Sequence, residues 1–94
     1  MHELSIAMNI VEIACDAAER QGDARVEAVH LSLGALSGVV KDALLFSWDL
    51  VCDGTRIAGA RLAIQEIPGT QMQVTALEIL SEPQPETVYD AAPG

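Results

Sequence analysis

Apolar side chains recur at helical spacing from about Leu4 to Gln21. Ile6, Ile10, Ile13 and Ala17, flanked by Ala7, Val11, Ala14 and Ala18, form one stripe, while Glu12, Asp16, Glu19 and Arg20 occupy the other face. This predicts an amphipathic helix with Ser5 as its amino-terminal cap and Gly22 just past its end. Between Arg25 and Leu33 the period falls to two. Val29, Leu31 and Leu33 share one face and Val26, Ala28, His30 and Ser32 the other, which predicts a strand whose first set faces the helices. The helical period returns from Lys41 to Asp53 through Leu44, Leu45, Trp48, Val51 and Cys52. Arg61 to Ile67 and Gln71 to Leu80 read as two further strands joined across Pro68-Gly69-Thr70. Proline presets φ and glycine accepts a positive φ, so residues 67–70 predict a type II turn and the two strands a hairpin. A type II turn is poorly matched to hairpin twist, which leaves a wider loop open.

The order helix, strand, helix, strand, strand predicts an α+β fold, a small three-stranded sheet with two helices packed on one face. A chain of 94 residues holds one domain. The periodic pattern places it at residues 1–80; beyond, Pro83, Pro85, Pro93 and scattered acids predict a disordered tail over 81–94. Apolar residues make up 50% of the chain and aromatic ones 3%, so the core is built from aliphatic side chains and offers no stacking platform for single-stranded nucleic acid. The formal charge of −9 opposes binding to nucleic-acid phosphates and to anionic membrane surfaces. No apolar run reaches the roughly 18 residues of a membrane span, and no basic and apolar leader opens the chain, so a cytoplasmic location is expected. Cys15 and Cys52, far apart and each within a helical pattern, read as reduced core thiols.

Candidate chemistry is sparse. No CxxC motif, no glycine-rich phosphate loop and no nucleophile with an adjacent base occurs, so catalysis is not expected. His30, a single imidazole on a strand, reads as a half-exposed structural residue. The opening Met1-His2-Glu3 is different in kind. A free amino terminus followed by histidine offers an amine, a deprotonatable backbone amide and an imidazole in one short chelate, a donor set suited to a tetragonal divalent metal.

The segments Met1-His2-Glu3-Leu4-Ser5, Ala24 to Leu31, Leu33-Gly34-Ala35-Leu36-Ser37-Gly38-Val39 and Val74 to Ile79 closely resemble, in register, the HypA/HybF family of hydrogenase nickel-incorporation proteins. The resemblance runs from Met1 to about Pro68 and from about Gln71 to Leu80. It implies a nickel metallochaperone for [NiFe]-hydrogenase maturation that binds Ni(II) through the Met1 amine, the His2 imidazole and amide, and Glu3 by its amide or carboxylate. In some relatives an acid early in the second helix approaches the nickel. Val40 occupies that position here, with Asp42 two residues on as an accessory candidate. The implied partners are the GTPase of hydrogenase maturation and the hydrogenase large subunit, and a homodimer stays open. The family places a zinc module of two CxxC pairs between the last two strands, where this chain has Pro68-Gly69-Thr70, so no zinc is expected. The alternative is a metal-independent interaction module on the same scaffold.

Overall fold

The computed structural model describes residues 2–22 and 24–80, so Met1 and the tail expected over 81–94 lie outside the described residues. The elements follow the expected order: helix α1 (Glu3–Arg20), strand β1 (Arg25–Gly34), helix α2 (Lys41–Cys52), strand β2 (Arg61–Ile67) and strand β3 (Met72–Leu80). The sheet has the order β2-β1-β3, with β1 parallel to β2 and antiparallel to β3. β1, α2 and β2 therefore form a parallel βαβ unit, which requires the helical crossover that α2 supplies.

The hairpin expected between the last two strands does not form. β2 and β3 run in opposite directions, as a hairpin would have them, but β1 lies between them. The physical reason is burial. β1 carries Val26, Ala28, Val29, Leu31 and Leu33, all buried, whereas β2 buries only Leu62 and β3 no residue, so the most apolar strand takes the centre. Residues 68–71 then bridge the end of β1, a span of two strand spacings or roughly 9.5 Å that a few extended residues cover. The bridge is hydrogen-bonded to the chain beneath it. Gly34 N–H donates to Gln71 O at 2.7 Å, Ala35 N–H to Ile67 O at 2.7 Å and Leu36 N–H to Gly69 O at 2.8 Å. Gly69 takes φ 97°, a conformation open to glycine, while Pro68, with no N–H to offer, sits outside the ladder.

Strand phase also differs from strict alternation. Val26 belongs to the same core cluster as Val29 and Leu31, although an even spacing would put it on the opposite face from them. The register supplies the cause: Val26 pairs with Ile79 and Ala28 with Glu78, so Glu27 is an extra residue in β1. A bulge of this kind opposes two residues to one and reverses the alternation on one side of it.

The core joins both helices to the sheet. Ala7, Ile10, Val11, Ala14 and Ala18 of α1 meet Leu44, Trp48 and Cys52 of α2 and the inner face of β1. The small alanines allow close approach, and Trp48 fills the space they leave, its indole Nε1–H donating to the Ala60 carbonyl at 2.9 Å in a buried bond. Ile13, expected on the inner stripe, is instead 52% exposed. The apolar stripe of α1 is wider than the core beneath it, so Ile6 and Ile13 fall at its margin, beside a cleft bordered by Met72 and Val74 of β3.

Candidate metal centre

The helix start that holds the tripeptide begins two residues earlier than Ser5. α1 opens at Glu3, with His2 as the residue before the first helical turn, and Ile6 N–H donates to His2 O at 3.0 Å. Ser5 thus lies inside the first turn and does not cap it. His2 adopts φ 58° and ψ 26°, the one positive φ outside glycine among the described residues, and its side chain makes no capping bond. Such a left-handed histidine is held by its surroundings at some cost. Its ring is exposed.

Glu3 ties this end of α1 to α2. Its Oε2 accepts a hydrogen bond from Val40 N–H at 2.8 Å, and Val40 is the residue immediately before the first turn of α2. Two helix amino termini, each with partial positive charge from unpaired N–H groups, thereby converge on one carboxylate. A hydrogen bond with the chain's amino group, and then the Val40 N–H, hold the Glu3 carboxyl down at about 2. The carboxylate is therefore anionic at any physiological pH. Asp42 sits in the first turn of α2, two residues past Val40. Sequence patterning did not reveal the Val40 amide as Glu3's partner, because backbone donors leave no signature in side-chain type.

Among the described residues no group of three or more His, Cys, Asp or Glu is placed to hold a metal ion. The N–H groups of His2 and Glu3 precede the first rung of the helical ladder, and the Glu3 N–H hydrogen-bonds its own carboxylate.

His30 lies elsewhere, half-exposed on the outer face of the sheet. Its Nε2 is 2.7 Å from Glu78 Oε2, and Arg61 Nη2 donates to the other oxygen of Glu78 at 3.3 Å. Imidazole, carboxylate and guanidinium from β1, β3 and β2 thus make a cross-strand group, the sheet counterpart of a helical side-chain pair. The structure does not bring His30 to the start of α1.

Comparison with known proteins gives a consistent result. The family described as hydrogenase/urease nickel incorporation, metallochaperone, hypA matches residues 1–78. The hydrogenase maturation factor HypA of Roseiflexus sp. (strain RS-1) is 63% identical over 68 residues, 72% of this chain and 55% of that protein. The same factor from Chloroflexus aggregans is 48% identical over 85 residues, 90% of this chain and 75% of its own length. The chain thus spans little more than half the length of the Roseiflexus relative. In fold, it superposes on the solution structure of the Ni metallochaperone HypA from Helicobacter pylori with a TM-score of 0.75 at 15% identity, covering 87% of this chain and 100% of that one. With the family match reaching from Met1 through nearly all of β3, the chain belongs to the HypA family, whose members are nickel-incorporation metallochaperones and not enzymes.

Proposed function

We propose that the chain is the nickel-handling domain of a hydrogenase maturation factor and takes Ni(II) at Met1-His2-Glu3, with Asp42 as an accessory ligand. The observation that carries this reading is the family match beginning at Met1, on a fold in which Glu3 is pinned to the start of α2. The chemistry is coherent. An amine, amide nitrogens and an imidazole suit square-planar or tetragonal Ni(II), and all must lack a proton to ligate, so affinity falls with acidification. Ligation through the His2 and Glu3 amides costs no helical hydrogen bond. The anionic Glu3 offsets part of the repulsion a divalent ion meets at two helix amino termini. Copper(II) binds such a donor set more tightly than nickel, so selection for nickel rests on supply and on the partner.

Nickel is cargo here, passed on through the maturation GTPase to the hydrogenase large subunit. This reading expects no zinc in the family's form: the linker between β2 and β3 is Pro68 to Gln71 and contains no cysteine. A cytoplasmic location accords with the described residues, in which no helix is long and apolar enough to cross a membrane. The decisive experiment titrates Ni(II) into the untagged protein, a His2→Ala variant and a version extended before Met1, reading the ligand-field absorption. Binding of about one equivalent is expected in the first only. Equal affinity in all three would overturn the amino-terminal chelate.

A second reading is a metal-independent docking module on the same scaffold. Capture of the maturation GTPase discriminates the two: binding indifferent to nickel and to His2→Ala favours the docking module.

A further inference from the structure

Two contacts fix how α1 lies along α2. Glu3 meets Val40 at one end, and Glu19 meets Arg56 at the other, Arg56 Nη2 donating to Glu19 Oε2 at 3.4 Å; both contacts join residues 37 apart in sequence. Arg56 lies in the turn that follows α2, so the second contact shows that the helices run in the same direction, while the first sets their offset, Glu3 standing level with Val40, 37 positions later. Cys15 and Cys52 have that same separation. Cys52 lies within the buried core cluster at 3% exposure, and Cys15, half-buried, packs against the cluster. The two thiols thus sit at one level of the helix pair, one sealed and one open to solvent.

We propose that Cys15 and Cys52 are a redox-active pair that closes an inter-helix disulfide when the protein meets a small-molecule disulfide, with Cys15 as the point of entry. The Cys15 thiolate attacks one sulfur of the oxidant, forming a mixed disulfide and expelling one small thiolate. The Cys52 sulfur attacks Cys15 Sγ, forming the protein disulfide and expelling the second thiolate, which takes up the Cys52 proton. Two protein thiols are oxidised and one disulfide is reduced to two thiols, so the exchange balances. Burial first, then Asp49 and then Cys15, push the Cys52 thiol up to about 11, which makes the second step the slow one and rules Cys52 out as the entry point. Paired helices approach closely enough for such a bridge: axes 8–10 Å apart bring facing backbones into the roughly 4.4–6.8 Å Cα range a disulfide needs. The proposal is independent of nickel, because its thiols lie at the opposite end of the helices from Glu3 and Val40.

The test incubates the full chain with oxidised glutathione, blocks remaining thiols with iodoacetamide and reads the intact mass and the linked peptides. The wild type should end two hydrogens lighter than the reduced protein, with no alkylated cysteine and no glutathione attached. Cys52→Ser should stop as a mixed disulfide on Cys15, as should Cys52→Ala, which guards against a folding defect in either variant. Cys15→Ser should stay unmodified in the folded state. Closing a loop of this length should also raise the melting temperature of the oxidised protein by on the order of 10 °C. A wild type that halts at the mixed disulfide, links between chains instead of within one, or melts no higher when oxidised would overturn the proposal. So would a Cys15→Ser variant that reacts as fast as the wild type.

Discussion

Gly34→Ala tests how the sheet closes across residues 68–71, between β2 and β3. A Cβ at Gly34 would stand 2.5 Å from Gly69 O, 2.8 Å from Gln71 O and 2.8 Å from Gly69 C, all backbone atoms that no rotamer change can move. An ordinary carbon–oxygen contact needs roughly 3.3 Å, so the 68–71 bridge must lift by about 0.8 Å. That lift stretches the three bonds from Gly34, Ala35 and Leu36, now 2.7, 2.7 and 2.8 Å, to lengths at which they cease to count. At about 1 kcal/mol each the loss is about 3 kcal/mol, less the ~0.5–1 kcal/mol gained by replacing a strand glycine. The net, about 2–2.5 kcal/mol, is a large share of the roughly 5–10 kcal/mol expected for a domain of this size. In urea, with a slope near 1 kcal/mol per molar, the midpoint should fall by about 2–2.5 M. Hydrogen exchange locates the damage: protection at the amides of residues 34–36 should vanish. Gly38→Ala is the control, since Gly38 has φ 83° and nothing within 4 Å, so that variant should cost about 1–2 kcal/mol while leaving those amides protected. A Gly34→Ala protein within about 0.5 kcal/mol of wild type, with the three amides still protected, would refute the crossing.

Two further outcomes follow from the geometry. The Glu3 carboxyl, held at about 2 in the fold and at its ordinary higher value in the unfolded chain, contributes stability present above the unfolded value and lost as pH falls toward 2. Denaturant melts should therefore show Glu3→Gln less stable than wild type at pH 7, with the gap closing near pH 2; a gap unchanged by acid would contradict the Val40 contact. Trp48→Phe leaves the Ala60 carbonyl buried without its donor and should cost about 1–3 kcal/mol, followed by circular dichroism because the variant has no tryptophan left to fluoresce. A loss below about 0.5 kcal/mol would mean that water or another donor replaces the indole.

The Glu3–Val40 contact gives the proposed nickel site a consequence for handling cargo. The third residue of that proposed site, Glu3, is tied to a second element. Ligands fixed on a helix start lose less freedom when a metal arrives, while an exposed His2 leaves one side open for transfer to a partner.

Much of this architecture was legible in residue order. The 3.6-residue period located both helices to within a residue or two, and β2 has the bounds its flanking turns indicate. The α+β class and the packing of two helices on one face follow from that order, and the Met-His-Glu donor set is chemistry that a chain shows without folding. What periodicity could not reveal is the set of relations made by pairing. Which strand takes the centre depends on burial summed over both faces, so the apparent hairpin opened to admit β1. The phase of Val26 depends on one unpaired residue, Glu27, that exists only relative to β3. The joining of Glu3 to the Val40 amide arises because two helices run in the same direction with their starts together. Local sequence determined the elements and the donors; tertiary structure alone decided their neighbours, because a neighbour distant in the chain is chosen by the packing of the whole.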